Sequence, residues 1–316
     1  MSSSRQHVVI GGNGSVGRLV VAELRARGLS AVPVHRSPGD DPSTVVADFL
    51  DPAQAVRVTG NASHLYLCLG LKYDTAVWQR DWPVIMANAI EAASRSGAKI
   101  IFLDNIYMYG PKPLLNPITE DHPTNPPAIK GKVRKQIAES LLEAHKSGKV
   151  TAVIGRAGDF YGPGATNSPL YVSVLKEMLL GRRPLWMGNN AAVHSFIHIG
   201  DAARALVELA LADDTYGQVW LLPASKPTPT VQALADTMGQ ILERPSGLLV
   251  VPKFALNGLT FIVPLMKELK EMLYQYETDY VISSFKFMKR FPSFTVTSYQ
   301  QGITEMVEWF RKDSGK

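Results

Sequence analysis

The chain has 316 residues, 46% of them hydrophobic and 19% charged, which is typical of a globular protein with a substantial core. The net charge of +5 comes without a long basic run, so it argues against nucleic-acid binding and suits an anionic ligand such as a phosphorylated cofactor. The single cysteine, Cys68, excludes an intrachain disulfide and indicates a reducing compartment.

No stretch of the sequence predicts a membrane segment. The opening residues, MSSSRQHVVIGG, lack an apolar core long enough for a secretory signal. The most apolar later stretch, FALNGLTFIVPLM, is interrupted by Asn257 and Pro264 and is too short to span a bilayer. We therefore expect a cytoplasmic protein without a membrane partner, in which Cys68 is a small buried hydrophobe rather than a nucleophile.

In chain order, short apolar runs alternate with longer segments of helical periodicity through the first half. The runs are HVVI, SAVPVH, TVVAD, HLYLCLG, KIIFLD and VTAVIGR. Their continuous apolarity is typical of strands buried on both faces of a parallel sheet. The intervening segments GRLVVAELRARG, AVWQRDWPVIMANAIEAASRSG and KGKVRKQIAESLLEAHKSG close on glycines suited to helix caps. This alternation predicts an α/β fold with a doubly wound parallel sheet of the Rossmann type.

After about Tyr161 this rhythm ends, because proline and glycine become frequent and the apolar runs become shorter. Helices are still predicted, at DAARALVELAL and TVQALADTMGQILE. We predict a Rossmann domain over residues 1–160 and a smaller lobe over 161–316, with a segment at about 190–222 returning to the sheet.

The first strand and the first helix are joined by a glycine-rich turn, VVIGGNGSVGRLVVAEL. Glycine at positions 11, 12, 14 and 17 permits a tight turn and close approach of the backbone to a pyrophosphate. The helix that follows offers free N–H groups and a partial positive charge to the phosphate. Since the motif lies between a strand and a helix, we interpret it as a dinucleotide site rather than a simple turn.

The residue at the end of the second predicted strand indicates which dinucleotide is bound. An acidic residue at this point would hold the ribose hydroxyls of NAD, but the sequence VHRSPG places Arg36 there. A guanidinium can bind a 2′-phosphate in a bidentate manner, so NADP(H) is favoured over NAD(H). Two alternatives remain: Arg36 is only a solvated side chain, or Asp40 and Asp41 restore NAD binding.

With these motifs, the sequence resembles the extended and atypical branches of the short-chain dehydrogenase/reductase superfamily, which are of the NAD(P)-dependent epimerase/dehydratase type. Six features of the chain follow that family's motifs in order. They are the glycine spacing, VVADFLD, LGLKYD, FLDNIYMYG, GRAGDFYGPG and HSFIHIGDAARAL. The fifth and sixth resemble its R..N.YGPG and RDFVHVDDVA.A. The resemblance, with Arg36, implies a cofactor site made of Gly11, Asn13, Gly14, Ser15, Val16, Gly17, Arg36, Asp48, Phe49, Leu69, Gly70, Lys72 and Lys135.

The same resemblance implies an altered catalytic group. Family members use a Ser or Thr at the end of the fifth strand, a Tyr, and a Lys four residues after the Tyr. Aligning FLDNIYMYG with the family motif puts Asn105 in the hydroxyl position. Aligning Glu139 in the next helix puts Lys135 on the lysine and Gly131 on the tyrosine. Asn105 can orient a substrate oxygen and Lys135 can hold the ribose, but Gly131 has no proton to transfer.

Three residues are candidates to replace the missing phenol or to assist it. Tyr107 and Tyr109 lie in the FLDNIYMYG segment, where aromatic packing is the alternative role and the expected one for Tyr109. Asp159 stands where the family has a substrate-facing Asn. It can act as a general base or bind a cationic or hydroxyl group, and the alternative is a hydrogen bond to loop amides.

The histidines predict no metal site. His194 and His198 fall in a predicted strand, VHSFIHIGD, where both point to one face, and no further ligand completes a metal-binding spacing. His122 lies in the proline-rich EDHPTNPPA segment and is expected to be an exposed loop residue, with a substrate contact as the alternative.

Three functions follow as hypotheses. The first is an NADP(H)-binding oxidoreductase or epimerase-like enzyme acting on a carbonyl, hydroxyl or activated double bond of a small molecule. The second is a non-catalytic NADP(H)-sensing regulator, for which the loss of the tyrosine is essential. The third is a repurposed isomerase or cyclase on the same scaffold. The family resemblance also suggests a homodimer.

Overall fold

The structure, a computed structural model, describes residues 5–252 and 268–314. Its strands are β1 (Gln6–Ile10), β2 (Ala31–His35), β3 (Val45–Val46), β4 (Ala62–Leu67), β5 (Lys99–Asn105), β6 (Ala152–Ala157), β7 (Asp159–Tyr161), β8 (Leu185–Met187), β9 (Phe196–His198), β10 (Val219–Leu221) and β11 (Leu249–Val251). Its α-helices are α1 (Gly17–Ala26), α2 (Pro52–Thr59), α3 (Thr75–Ser96), α4 (Ile129–Lys146), α5 (Lys176–Leu179), α6 (Ile199–Leu211), α7 (Val231–Leu242), α8 (Phe285–Arg290) and α9 (Tyr299–Ser314).

The chain divides into two compact units that interleave along the sequence. The first unit comprises residues 1–108, 129–157 and 202–220, and the second comprises 109–128, 158–201 and 221–316.

The first unit is built on a seven-stranded sheet in the order β10-β6-β5-β4-β1-β2-β3. Strands β1 to β6 pair in parallel, so their carboxyl ends meet at one edge of the sheet. A core cluster formed by apolar residues of these strands and of α2, α3 and α4 fills one face. The predicted Rossmann-type doubly wound fold is therefore confirmed.

The helices of the first unit begin and end at residues whose side chains or backbone suit those positions. The Asp74 carboxylate caps α3 by accepting the Val77 N–H, and Gly97 ends it with a left-handed φ of +71°. Asp51 caps α2 in the same way, with Pro52 as the first helical residue. The glycine cap of α3 was predicted from the sequence, whereas helix α2 was not.

The second unit contains two small sheets, β7 with β9 and β11 with β8. Its core is formed by apolar side chains of β7, β8, β9, α7, α9 and the π-helical turn Leu170–Leu175, among them Phe196, Leu234 and Phe310. The predicted strand VHSFIHIGD is shorter than expected: only Phe196–His198 is strand, and α6 begins at Ile199.

Within residues 5–252 and 268–314, no helix is both long enough and apolar enough to cross a membrane. The apolar stretch FALNGLTFIVPLM lies outside the described residues.

Candidate functional site

The glycine turn between β1 and α1 is too crowded for side chains at three of its positions, Gly11, Gly12 and Gly17. Gly11 has a left-handed φ of +78°, and a Cβ there would lie 2.7 Å from the Leu69 Cα. A Cβ on Gly17, the first residue of α1, would lie 2.1 Å from the Gly11 carbonyl oxygen. The Gly14 N–H donates to that same carbonyl at 2.8 Å, which closes the turn. Glycine at these positions is therefore required by the backbone path itself.

The other predicted residues of this turn lie between the glycines. The Asn13 carboxamide oxygen accepts a hydrogen bond from Thr44 Oγ1 at 3.2 Å. Its Nδ2 is buried and finds no acceptor among the described residues. Ser15 is partly buried, and Val16 is buried as the residue preceding α1. Within the described residues, the turn thus contains a buried donor that lacks an acceptor, a feature expected where a ligand supplies one.

Arg36 follows the last residue of β2 directly and its side chain is exposed. Of the two nearby carboxylates that could replace it in ribose binding, Asp41 binds Arg25 Nη1 at 2.6 Å and the Ser43 hydroxyl at 2.6 Å. Hydrogen bonds from Ser43, together with Arg25, lower the Asp41 pKa to about 2. Asp40 is exposed. The carboxylate of Asp41 is therefore already engaged with other groups.

Asp48 and Phe49 follow β3, where the family motif predicted adenine contacts. Asp48 Oδ1 accepts the Leu50 N–H at 2.9 Å, and the side chain remains partly exposed. The Phe49 ring is buried, and its carbonyl accepts Nδ2 of Asn88 on α3 at 2.8 Å. These contacts fix the backbone of this segment.

The loop after β4 holds the remaining cofactor candidates. Leu69 is partly buried, whereas Gly70 and Lys72 are exposed. Cys68 precedes them, and burial raises the pKa of its thiol to about 12, so it is a poor nucleophile at neutral pH. Because Gly11 approaches Leu69 so closely, the structure brings this loop together with the glycine turn.

Asn105 is the last residue of β5 and its carboxamide has a fixed orientation. Oδ1 accepts the Tyr107 N–H at 3.0 Å, so the carboxamide is anchored through its oxygen. The side chain is partly exposed and retains two N–H donors on Nδ2. It can donate to a substrate oxygen, as the sequence analysis proposed, but it cannot supply a proton at neutral pH.

A buried ion cluster that the sequence analysis missed lies directly beneath Asn105. Asp104 Oδ1 accepts Arg134 Nε at 2.7 Å and the Asn105 N–H at 2.8 Å, while Oδ2 lies 3.2 Å from Arg156 Nε. All three side chains are at least 95% buried. Arg134 also covers the Trp82 and Phe102 rings. The cluster fixes the carboxyl end of β5 and hence the position of Asn105.

Of the two tyrosines in FLDNIYMYG, Tyr107 belongs to the first unit and Tyr109 to the second. The Tyr107 ring stacks on Trp78 of α3, with centroids 6.1 Å apart and planes 14° apart, and it packs against the core cluster. Tyr109 is fully buried, and its ring meets the His122 ring edge-to-face at 5.3 Å. His122 was expected to be exposed, but it is buried, and this burial lowers its pKa.

Gly131 and Lys135, which occupy the positions of the family's Tyr and Lys, both lie on α4, but their surroundings differ. Gly131 is buried, whereas Lys135 is partly exposed with its Nζ 3.8 Å from Glu139 Oε1. One residue earlier, Lys130 is fully buried, donates to Thr75 Oγ1 at 2.8 Å and lies over the Tyr73 ring at 4.7 Å. Lys130 and Arg134 therefore form the inward-facing pair of cations on α4, a four-residue spacing that was visible in the sequence.

Asp159 lies in the second unit, where it begins β7. Its Oδ2 accepts the Tyr276 hydroxyl at 2.8 Å and lies 3.0 Å from His194 Nε2. The alternative role considered for Asp159, a hydrogen bond to loop amides, is not among the contacts found within the described residues. Its pairing with His194, 35 residues away, was missed.

His198, the second histidine of the predicted strand, is buried beside Tyr161, with its Nε2 3.4 Å from Glu305 Oε2. In the described part of the chain, no three His, Cys, Asp or Glu side chains are grouped closely enough to hold a metal ion.

The model of the NAD dependent epimerase/dehydratase family matches residues 7–220. dTDP-6-deoxy-L-talose 4-dehydrogenase (NAD(P)(+)) of Kitasatospora kifunensis is 26% identical over 227 residues, which cover 65% of this chain and 69% of that protein. dTDP-glucose 4,6-dehydratase of Mycolicibacterium smegmatis is 30% identical over 138 residues, which cover 43% of this chain and 41% of that protein.

Solved structures show the same fold. UDP-glucose 4-epimerase of Thermotoga maritima, solved with UDP-glucose, superposes with a TM-score of 0.79 at 18% identity, covering 98% of this chain and 99% of that one. A double mutant of dTDP-glucose 4,6-dehydratase from Streptomyces venezuelae, solved with NAD, superposes with a TM-score of 0.80 at 16% identity, covering 98% of each chain. With the family model spanning both the glycine turn and the β5 segment, the resemblance inferred from the motifs is confirmed, and the chain belongs to the NAD dependent epimerase/dehydratase family.

Proposed function

We propose that this protein is an NADP(H)-dependent oxidoreductase with an altered active site. It acts on a carbonyl, hydroxyl or activated double bond of a small molecule, and the lone cysteine supports a cytoplasmic location. The observation that carries the choice of cofactor is the exposed Arg36 directly after β2, where an NAD-specific chain places a carboxylate. Asp41, which could take that role, is held by Arg25 and Ser43.

The first unit fits a dinucleotide. Its glycine turn leaves no room for a Cβ at Gly11 or Gly17, and it carries a buried Asn13 donor that lacks an acceptor in the described chain. The residues that would hold the cofactor are Gly11, Asn13, Gly14, Ser15, Val16, Gly17, Arg36, Asp48, Phe49, Leu69, Gly70, Lys72 and Lys135.

The bound cofactor supplies or accepts the hydride, and the chain supplies orientation and proton transfer. Asn105 donates from Nδ2 to the substrate oxygen, a role that its anchored Oδ1 supports. Lys135 holds the nicotinamide ribose. Tyr107, Asp159 or water takes the place of the phenol that Gly131 lacks, although stacking on Trp78 gives Tyr107 a packing role as well. The second unit binds the substrate.

We also propose a homodimer, as the family suggests. A groove between α3 and α4, about 290 Å³ in volume, is lined by the apolar Pro83, Met86 and Ile90 and by the polar Gln136, Ser140 and Lys149, and we propose it as part of this contact. Light scattering coupled to size-exclusion chromatography measures the oligomeric state directly.

The test of function is turnover. Purified protein is incubated with NADPH and a panel of ketones, aldehydes and enones, and NADPH consumption is followed by absorbance. Asn105→Asp keeps the oxygen that accepts the Tyr107 N–H but removes the N–H donors, so it should reduce turnover about a hundredfold without weakening NADPH binding.

One observation favours a second function, an NADP(H)-sensing regulator: the position of the family's tyrosine is the buried Gly131. The two functions differ in the response to Gly131→Tyr. If the wild-type protein binds NADPH but consumes it with no substrate, and Gly131→Tyr creates activity, the oxidoreductase proposal is wrong and the sensor is supported. Turnover by the wild type rejects the sensor.

A further inference from the structure

The second unit contains a carboxylate held in one orientation by two different side chains. Asp159 Oδ2 accepts the Tyr276 hydroxyl at 2.8 Å and contacts His194 Nε2 at 3.0 Å. Both contacts reach the same oxygen, and within the described residues no hydrogen bond to Oδ1 is found. The Asp159 side chain keeps 12% of its surface exposed. Oδ1 is the oxygen that, among the described residues, keeps its acceptor capacity for a ligand.

His194 is immobilised behind this carboxylate. Its ring stacks on Tyr280, with centroids 4.3 Å apart and planes 6° apart, and on Tyr276, with centroids 5.1 Å apart and planes 10° apart. The imidazole is only 3% exposed. Trp186 packs edge-on against Tyr276 at 5.4 Å. The carboxylate therefore has a rigid aromatic support, and a ligand cannot rotate it away without breaking these contacts.

The charge of this cluster differs from that of the family motifs. The motif R..N.YGPG has a neutral Asn where this chain has Asp159, and this difference adds one negative charge. The motif RDFVHVDDVA.A has an Arg where this chain has His194, whose Nε2 lies 3.0 Å from Asp159 Oδ2. An ionised carboxylate accepts hydrogen bonds but donates none, and it repels anionic oxygens at close range.

We infer that Asp159 and His194 determine substrate specificity by selecting a ligand with an ammonium or hydroxyl group at this point and by rejecting a nucleoside diphosphate. The inference rests on the proposed function, because it names the class of substrate that the oxidoreductase takes. It separates this chain from the relatives named for UDP- and dTDP-sugars, whose diphosphates are anionic.

The first test titrates dTDP into the protein by isothermal calorimetry. Wild type, Asp159→Asn and the double variant Asp159→Asn/His194→Arg are compared, because these substitutions restore the family's residues. Glu308→Gln on α9 is the control, since it removes one negative charge from an exposed position of the same unit. We expect Asp159→Asn to bind dTDP about tenfold more tightly than wild type, with Glu308→Gln unchanged.

Equal dTDP affinity in wild type and Asp159→Asn, including no binding in either, overturns the inference. Asp159→Asn keeps the shape of the side chain, so the test does not depend on the larger His194→Arg change. NADPH affinity is measured for each variant. If wild type does not bind NADPH, the proposed function is wrong. The dTDP comparison would still decide whether Asp159 determines specificity.

The second test uses two probes with the same ring and opposite charge, tyramine and 4-hydroxyphenylacetate, observed by saturation-transfer NMR. We expect wild type to favour tyramine and Asp159→Asn to lose this preference. A preference for the carboxylate probe, or a tyramine signal that Asp159→Asn leaves unchanged, overturns the inference.

Discussion

Asp104 and Arg134 form an enclosed ion pair, with Arg134 Nε 2.7 Å from Asp104 Oδ1, at the residue that precedes Asn105. Arg156 binds the other carboxylate oxygen. Asp104→Asn should therefore remove the carboxylate charge that the buried guanidinium groups of Arg134 and Arg156 both contact. Removing one partner of a buried pair costs about 3 to 5 kcal/mol, so we expect a loss of about 3 kcal/mol in the free energy of unfolding, measured by urea denaturation.

Asp213→Asn is the control for this variant. Asp213 pairs with Lys99 at 2.6 Å, but its side chain is 90% exposed, so solvent screens the interaction. The urea midpoint of Asp213→Asn should stay close to that of wild type. Similar midpoints for Asp104→Asn and Asp213→Asn would show that the enclosed pair does not stabilise the β5 end.

The glycine turn provides a second prediction. Gly17→Ala places a methyl group 2.1 Å from the Gly11 carbonyl oxygen, so the backbone must move. We expect a lower melting temperature and loss of NADPH binding, the latter measured by fluorescence titration. Gly60→Ala is the matched control, because its Cβ would meet its nearest neighbour at 3.6 Å and its φ of −55° suits alanine. NADPH affinity that survives Gly17→Ala would contradict the assignment of this turn to the cofactor.

A pair of stacked histidines in the first unit predicts how stability depends on pH. The His7 and His64 rings lie 4.4 Å apart and nearly parallel. Burial, followed by the neighbouring charge of His7, lowers the His64 pKa to about 4, and burial also lowers the His7 pKa. An unfolded chain titrates its histidines near pH ~6.5, so between pH ~6.5 and ~4 the unfolded state binds more protons than the folded state.

The stability supplied by these neutral histidines is therefore complete above pH ~6.5 and is lost as pH falls toward 4. The melting temperature should decrease across this window. His64→Phe keeps a ring stacked on His7 but cannot be protonated, so its melting temperature should fall less steeply. Identical slopes for wild type and His64→Phe would rule out the histidine pair as the cause.

Two lysines of α4, Lys130 and Lys135, can be distinguished by matched substitutions. Lys130→Met removes the enclosed contact to Thr75 at the start of α3, so we expect about 2 kcal/mol less unfolding free energy. Lys135→Met removes the partly exposed lysine proposed to hold the ribose. It should weaken NADPH binding without lowering the urea midpoint. If Lys135→Met binds NADPH like wild type, the ribose role of Lys135 is wrong.

Much of the fold could be predicted because local signals agree with long-range packing. The continuous apolar run KIIFLD lies within β5, and the glycine at position 97 ends α3 with a left-handed φ, as the sequence indicated. The missed helix α2 also had local signals, since Asp51 and Pro52 are a capping residue and a first-turn proline. With only eight residues, α2 is too short for its apolar periodicity to identify it as a helix.

The site could be predicted less well, because its contacts join residues far apart in the chain. Asp104 meets Arg134 across 30 positions and Arg156 across 52, and Asp159 meets His194 across 35, so spacing rules do not reveal these pairs. The local contact from Tyr107 N–H to Asn105 Oδ1 is different: an Asn carboxamide that accepts an N–H two residues later is a common turn, and the sequence contained that signal.

The proposed cofactor is NADP(H), recognised through Arg36. The most direct measurement is a pair of fluorescence titrations, with NADPH and with NADH, of wild type and Arg36→Glu. We expect wild type to bind NADPH about tenfold or more tightly than NADH, because a guanidinium pairs with the 2′-phosphate, and Arg36→Glu to reverse that preference. Equal affinity of wild type for the two cofactors, or unchanged NADPH affinity in Arg36→Glu, would contradict the account.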